Sequence, residues 1–427
     1  MADTLFVCSR PTGAAMPDNN SRYQPISGCL SPNVATTGHH EVPIRDAGTA
    51  SDLFTYVEAT TLTVTTTVTM RVSQADSALT VSYTSGQTGI KEDTSNSVSV
   101  AATDELEHRI TVPAQLGSQT ITFNTIAMHY VTDTASNTLT KMVAGAHALD
   151  SYTIVTDSVT RFPPPAGSIV DRNVTNENTS EFRFRFDCTS QDFYVFAPTN
   201  ARTTNTVMGT RKNSADGGQT ITYTSGQTGA KEDTSGTDSL AAGDDYNYYW
   251  TTGTGSGEAL AITQWSTSLI STGGVFAFLT PYVVLKATVA LNTTTYAGLG
   301  HFVGFDTVEA NSAVYPQFTF TAEELLSSVL TNTNALSSTD VFIRDNLGDS
   351  AVTVSYLAGE TGLKSDTSNT VEITSGSDEI DYKVINNELI SGSIIFNWIG
   401  CSGFTAEVPA VPSTTALYHT LSFMGVG

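Results

Sequence analysis

A motif of sixteen residues occurs three times in this chain and constrains its fold more than any other feature. Each copy begins Thr-x-(Ser/Thr)-Tyr and continues into Gly-(Gln/Glu)-Thr-Gly-x-Lys-x-Asp-Thr-Ser, over residues 80–95, 220–235 and 353–368. The tyrosines Tyr83, Tyr223 and Tyr356 are spaced by 140 (223 − 83) and 133 (356 − 223) residues. Such a period is too long for a solenoid repeat and matches a whole domain. We therefore expect three related domains in tandem.

The similarity between the copies extends to both sides of the motif. An arginine stands twelve residues before each tyrosine, and the residues between them are polar and turn-forming. This pattern predicts a strand, a hairpin turn and a second strand. Two further segments able to form strands follow each motif, at 104–110 and 120–123, at 244–250 and 260–263, and at 378–384 and 393–396.

The composition favours an all-β protein. Charged residues make up only 14% of the chain, and their place is taken largely by Ser, Thr and Asn. Thr and Val are both abundant and suit a pleated, half-buried surface. The best helix candidate is short: Thr321 as N-cap and Glu324 as its capping-box partner precede Leu325, Leu326, Val329 and Leu330. Short strands separated by frequent turns favour antiparallel β-sandwiches, either immunoglobulin-like or jelly-roll.

Proline-rich segments suggest the domain boundaries. Five prolines before residue 45 predict an irregular N-terminal arm over 1–45, packed on another subunit or on a particle. The run Phe-Pro-Pro-Pro-Ala-Gly at 162–167 predicts the end of the first domain. The predicted division is then 46–165, 166–312 and 313–427.

The repeated loop is the main candidate for a binding site. Its carboxylates and hydroxyls could hold Ca²⁺ or a sugar, although one or two acids per copy beside a lysine are few for Ca²⁺. The alternative is a conformationally demanding loop whose glycines adopt positive φ. The arginines could bind a partner's carboxylate, or form internal ion pairs and cover apolar surface. The candidate interface residues are Lys91, Asp93, Lys231, Asp233, Lys364 and Asp366 in the loops, and Arg71, Arg211 and Arg344 before the tyrosines.

Charge and motif content exclude several classes of function. The net charge of −23 disfavours nucleic acid and anionic membranes as partners. The chain carries no nucleophile elbow or phosphate loop, and its distinctive residues recur in triplicate, whereas catalytic clusters are usually unique. We therefore predict no enzymatic activity, cofactor or metal. The four scattered cysteines are expected to be thiols, and the N-terminus lacks the pattern of a signal peptide.

The chain resembles the accessory structural proteins of tailed-phage virions, namely capsid decoration (cement) proteins and head or tail fibres. The shared features are repeated β domains, a low-charge Ser/Thr-rich surface, a predicted N-terminal arm and no export signal. The resemblance implies an acidic bacteriophage protein made in the host cytoplasm and located on the virion. Its partners would be capsid or tail subunits, as a homo-oligomer or bound to a particle. The alternatives are a tail-fibre or spike protein that contacts host glycans, and a bacterial surface adhesin with immunoglobulin-like repeats.

Overall fold

The structure is a computed structural model and is all-β. It describes residues 3–30, 35, 40–115, 119–133, 138–147, 152–154, 158–165, 167–169, 175–177, 180–184, 187–255, 257–272, 282–298, 305–314, 319–374 and 378–406. Strands account for 64% of the chain, and no α-helix occurs among these residues. The prediction of a helix at Thr321 is wrong, because residues Phe320–Asn332 form a strand.

The strands fall into three groups by hydrogen bonding, and we refer to these groups as units 1, 2 and 3. Unit 1 contains β1 (Asp3–Pro17), β2 (Asn20–Gln24), β3 (Gly28–Cys29), β4 (Val42–Pro43), β5 (Gly48–Thr60), β6 (Thr66–Val72), β7 (Ala75–Tyr83), β8 (Gly89–Val100), β9 (Glu105–Val112) and β10 (Thr120–Thr132).

Unit 2 contains the next thirteen strands in chain order. They are β11 (Thr138–His147), β12 (Tyr152–Ile154), β13 (Thr160–Arg161), β14 (Gly167–Ile169), β15 (Phe182–Arg183), β16 (Cys188–Ala197), β17 (Thr199–Asn200), β18 (Thr206–Lys212), β19 (Ala215–Tyr223), β20 (Gly229–Leu240), β21 (Asp245–Thr252), β22 (Leu260–Ile262) and β23 (Gln264–Thr272).

Unit 3 contains the last nine strands and a short 3₁₀ helix at Glu309–Asn311. The strands are β24 (Tyr282–Val289), β25 (Thr293–Ala297), β26 (Phe320–Asn332), β27 (Thr339–Asp345), β28 (Gly348–Tyr356), β29 (Gly362–Asp366), β30 (Val371–Ile373), β31 (Ile380–Asn386) and β32 (Ile394–Ala406).

The three units share one sheet order. In unit 1 the sheets are β3-β1-β10-β5-β8 and β2-β9-β6-β7, and β4 pairs with β9. The counterparts are β14-β11-β23-β16-β20 and β13-β21-β18-β19 in unit 2, and β24-β32-β26-β29 and β25-β31-β27-β28 in unit 3. All named strand pairs are antiparallel except β1 with β3 and β11 with β14. The strands predicted around each motif are confirmed.

The prediction of an irregular N-terminal arm is wrong. β1 pairs with β10 along most of its length, and β2 pairs with β9, so residues 1–45 supply strands to both sheets of unit 1. The prolines are tolerated because of where they stand. Pro11 lies in the register shift between Ser9 and Ala14, and Pro17 and Pro43 end their strands. Proline lacks an amide donor, so irregular positions and strand ends are where a sheet accommodates it.

Strand pairing also groups the chain differently from the proposed domain division. β11, which precedes residue 165, pairs with β23 of unit 2. β24 and β25, which precede residue 312, pair with β32 and β31 of unit 3. Each unit therefore begins with a strand that hydrogen-bonds to the last long strand of the same unit.

Each unit has a hydrophobic cluster to which strands of both of its sheets contribute. In unit 1, Leu53 and Phe123 from one sheet pack in the same cluster as Met70 and Ile110 from the other. Corresponding clusters occupy units 2 and 3. The repeated tyrosine is buried in its cluster in all three units, which explains why its ring recurs.

Candidate functional site: the repeated loops and the contacts between units

The repeated tyrosine anchors the repeated loop through its hydroxyl. In unit 1 the Tyr83 hydroxyl lies 2.9 Å from the carbonyl oxygen of Gly89 and 3.0 Å from that of Thr55. The hydroxyls of Tyr223 and Tyr356 make the corresponding contacts, to Gly229 and Val195 and to Gly362 and Ser327. Gly86 and Gly89, with φ of 69° and 86°, let the chain turn tightly between the tyrosine and the next strand.

The repeated lysine folds back over the same tyrosine. Lys91 Nζ donates to the Ser82 carbonyl oxygen at 2.7 Å and lies 5.4 Å from the centroid of the Tyr83 ring. Lys364 repeats both contacts in unit 3, and Lys231 lies 5.7 Å from the centroid of the Tyr223 ring in unit 2. A cation–π contact with the ring and a carbonyl acceptor both favour the ammonium at this place. These internal partners give a structural reason for the recurrence of the lysine.

The repeated aspartate accepts hydrogen bonds from backbone amides. Asp93 accepts from the amides of Thr80, Ser95 and Asn96 at 2.9, 3.2 and 3.2 Å. Asp233 and Asp366 accept from the equivalent amides. Although partial burial acts to raise it, these hydrogen bonds and those from neighbouring side chains, Asn369 foremost at Asp366, hold the pKa of each carboxyl below its ordinary value, to about 2 for Asp366. The aspartate therefore joins the strand before each loop to the residues just after the aspartate itself.

The repeated arginine belongs to a clamp around the hairpin turn that follows it. In unit 1 the turn residues Ser73 and Gln74 have positive φ, as a two-residue type I′ turn requires. Arg71 donates to the Gln74 carbonyl oxygen, to Asp76 at 3.0 Å and to Glu107 at 2.5 Å. Of the roles expected for the arginines, the structure shows the internal ion pair.

The other two arginines repeat the clamp with different acidic partners. Arg211 bonds the Ser214 carbonyl oxygen, Asp216 and Glu177. Arg344 bonds the Leu347 carbonyl oxygen, Asp349 and Glu309. In every unit an aspartate stands five residues after the arginine, a spacing visible in the sequence. That regularity could have identified the ion pair in advance.

A second repeated feature joins the units, and it was not found from the sequence. One equivalent position in each unit is occupied by Phe54, Tyr194 or Leu326. The positions are equivalent because the backbone carbonyl of the next residue accepts a hydrogen bond from the hydroxyl of the repeated tyrosine in each unit. All three side chains are buried, yet they point away from the core of their own unit. Phe54 packs in the hydrophobic cluster of unit 3, and Leu326 packs in that of unit 2.

A third contact of this kind joins unit 2 to unit 1. Tyr194 of unit 2 lies against unit 1. Burial, and then the charges of Glu105 and Glu41, raise the pKa of its hydroxyl, and the charge of Arg45 lowers it. Arg45 also forms an ion pair with Glu232 of unit 2. Unit 1 thus contacts unit 3, unit 3 contacts unit 2, and unit 2 contacts unit 1, each through the same face. Repeated head-to-tail contacts that close after three members define a ring with approximate threefold symmetry.

The junction between units 1 and 2 carries several acidic side chains. Glu41 is buried there beside Glu107 and Glu105, and accepts a hydrogen bond from Gln74 Nε2 at 3.2 Å. Burial, followed by repulsion from Glu107 and Glu105, raises the pKa of Glu41 to about 7. A carboxyl at this position is therefore protonated on the acid side of neutrality.

A cleft of about 390 Å³ lies between units 2 and 3. One wall carries Glu181 and Arg183, and Arg183 is held in a bidentate pair with Asp245 at 2.8 and 2.6 Å. The other wall carries Val329 and Asn397, whose amide nitrogen donates to Ser328 Oγ at 3.1 Å. The cleft thus combines charged and amide groups with apolar side chains.

The described residues contain no group of three or more His, Cys, Asp or Glu side chains placed to hold a metal ion. Cys188 and Cys401 are buried thiols, and burial raises the pKa of each to about 12. Among the described residues no helix is both long enough and apolar enough to span a membrane. No protein-family model and no curated protein matches the chain.

Proposed function

We propose that this protein is a non-catalytic structural component of a virion, of the capsid decoration or cement type. In this proposal it consists of three jelly-roll β-sandwiches and attaches to a particle through equivalent surfaces of its three units. The observation that carries the proposal is the cyclic arrangement of three related units within one chain.

Strand order supports the jelly roll. Unit 1 has eight principal strands, which in chain order are β1, β2, β5, β6, β7, β8, β9 and β10. Numbered one to eight, they form sheets in the orders 1-8-3-6 and 2-7-4-5. The chain passes back and forth between two antiparallel sheets of four, as it does in the jelly rolls of viral capsid and lectin domains. Immunoglobulin-like sandwiches order seven to nine strands differently, so this topology weighs against the adhesin alternative.

The cyclic arrangement supports attachment at several identical sites. A ring of three equivalent units presents each outward-facing surface three times around one axis. A shell of identical subunits offers repeated sites with matching symmetry wherever three subunits meet. Three weak contacts made at once raise avidity through effective concentration, which gives a reason for triplication that a catalytic function would not.

The decisive experiment measures stoichiometry on assembled particles. We expect one chain for every three coat subunits at the occupied positions, measured by quantitative mass spectrometry of purified particles and checked by cryo-electron microscopy. Absence of the protein from the particles would refute the proposal, and so would hydrolysis of a polysaccharide by the purified protein.

A second candidate function is host glycan binding by a fibre or spike protein. The cleft between units 2 and 3 favours it, because amide, carboxylate and guanidinium groups line a recess of about 390 Å³ that could receive a sugar. A glycan array with the purified protein tests this function. Replacement of Asn397 with Leu should abolish any specific signal, whereas substitution of the equivalent Asn124 in unit 1 should leave it intact.

A further inference from the structure

Four large aliphatic side chains are exposed together at one end of unit 3. They are Leu336, Leu357, Leu389 and Ile390, with 72%, 61%, 71% and 69% of their surface accessible. They come from the loops that follow β26, β28 and β31. We call this group the apolar tip. Contiguous exposed apolar patches on soluble domains usually mark an interaction site.

A buried carboxylate holds the loops of the apolar tip in place. Glu388 accepts hydrogen bonds from the amides of Leu336 at 2.7 Å, and of Leu389 and Ile390 at 3.1 Å each. It also accepts from the amides of Ala335 and Ser337. The Asn332 side chain ties the third loop to the others by donating to the Leu357 carbonyl oxygen at 2.8 Å. The four side chains are therefore presented on a fixed framework, which lowers the entropy lost on binding.

The other two units keep the framework but not the leucines. Gln115 and Glu258 accept from the amides of Thr63 and Thr203, just as Glu388 accepts from the amide of Ala335. The repeated motif places Thr84 and Thr224 where unit 3 has Leu357. Leu336 lies in a loop that is one residue longer than its counterparts in units 1 and 2, which run from Thr60 to Thr66 and from Asn200 to Thr206. The shared fold therefore requires neither leucine. Unit 3 differs from its relatives in the surface that it presents.

We propose that the apolar tip of unit 3 inserts into an apolar recess on a partner protein whose rim is basic. The proposal rests on the proposed function, in which the partner is a particle subunit. It adds a contact made by unit 3 alone to those made by the equivalent surfaces of the three units. Asp340 flanks the tip, and with the net charge of −23 it complements a basic rim, whereas Glu360 beside Leu357 is paired with Lys364.

Two other occupants fit the tip less well. A lipid surface would favour lysine and arginine around the apolar side chains, and this chain carries a net charge of −23. A second copy docked tip to tip would bury an apolar patch on the order of a few hundred Å². That is below the roughly 800 Å² per partner that a stable dimer buries. A recess that surrounds the tip would bury more of the surface of the same four side chains than a flat contact does.

The test is a double variant, Leu336→Thr with Leu357→Thr, which makes one residue in each of two loops polar; threonine is the residue that units 1 and 2 carry at the position of Leu357. The matched control is Leu347→Ser, which removes a leucine 58% exposed in the hairpin turn between β27 and β28. Serine is the residue that unit 2 carries at this turn position, Ser214, where φ is also positive. Unchanged thermal unfolding of both variants establishes that they fold. The probe is purified particles that lack this protein, with binding measured by co-sedimentation against protein concentration.

We expect the double variant to bind particles about a hundredfold more weakly, about tenfold for each leucine, and the control to bind like the wild type. Equal binding by the double variant and the wild type overturns the role of the tip and leaves the proposed function standing. Failure of the wild type to bind particles overturns the proposed function and this inference with it. Two further results would also overturn the inference. If the wild type binds phosphatidylcholine vesicles and the double variant does not, the tip binds lipid. If the wild type sediments as a dimer and the double variant as a monomer, the tip binds a second copy of the chain.

Discussion

The hydroxyl of the repeated tyrosine should contribute measurably to stability, and Tyr223→Phe tests this with little change in packing. The ring is fully buried, and its hydroxyl lies 2.8 Å from the carbonyl oxygens of both Val195 and Gly229. The variant removes a buried hydrogen bond, worth about 1 kcal/mol net. It also leaves a carbonyl without this partner in an apolar setting, at a cost of about 1–3 kcal/mol. We expect the free energy of unfolding to fall by about 2 kcal/mol.

Urea unfolding followed by tryptophan fluorescence is the assay. Two of the three tryptophans, Trp250 and Trp265, are buried in the same hydrophobic cluster as Tyr223, so the signal reports mainly on unit 2. With a urea dependence of about 2 kcal/mol per molar, the midpoint should fall by about 1 M. The control is Tyr249→Phe, at a half-buried tyrosine of the same unit, which should shift the midpoint far less. A Tyr223→Phe midpoint within about 0.2 M of the wild type would show that the hydroxyl does not anchor the loop.

Three further predictions concern titration and the contacts between units. Burial lowers the pKa of His108 to about 3, so the unfolded chain takes up a proton below about pH 6.5 that the folded chain refuses. Stability should fall by up to about 1.4 kcal/mol per pH unit as the pH drops from 6.5 towards 3, and His108→Tyr, the residue of the other units, should remove that slope in urea titrations. Glu41, with its pKa raised to about 7, gives a pH dependence of stability with the opposite sign: the free energy of unfolding should fall as the pH rises from 4.5 to 7. Glu41→Gln should flatten this slope, and a variant whose stability changes with pH as the wild type's does would contradict the prediction. Leu326→Ala should cost about 3 kcal/mol by leaving a cavity between units 3 and 2, seen as separate unfolding transitions in calorimetry, whereas truncation of the exposed Leu347 should change nothing.

Local sequence determined the elements around each motif. The hairpin between arginine and tyrosine, the glycines of the loop and the strands downstream follow from turn chemistry and from alternation, which act over a few residues. From the sequence, an internal ion pair of the arginine and a contact with a partner's carboxylate remained alternatives. The aspartate five residues later is the signal that would have selected it.

The helix expected at Thr321 shows where local rules fail. Leu325 and Leu326 are adjacent apolar residues, which a strand with one buried face would not carry. Both are buried in β26 because Leu325 faces its own cluster and Leu326 faces that of unit 2. Phe54 and Tyr194 follow Leu53 and Phe193 in the same way. An apolar pair in a strand therefore marked a sheet with both faces covered.

The sequence by itself determined that the chain is β-rich, threefold repeated and acidic, because composition and motif spacing carry that information directly. Only the tertiary structure decided that β1 to β4 pair within unit 1, since a proline-rich segment gains strand structure from a distant partner such as β10. Only the tertiary structure closed the three units into a ring and gathered the apolar tip from three loops. Contacts between residues distant in the chain depend on the geometry of whole sheets, and no local pattern of residues encodes that geometry.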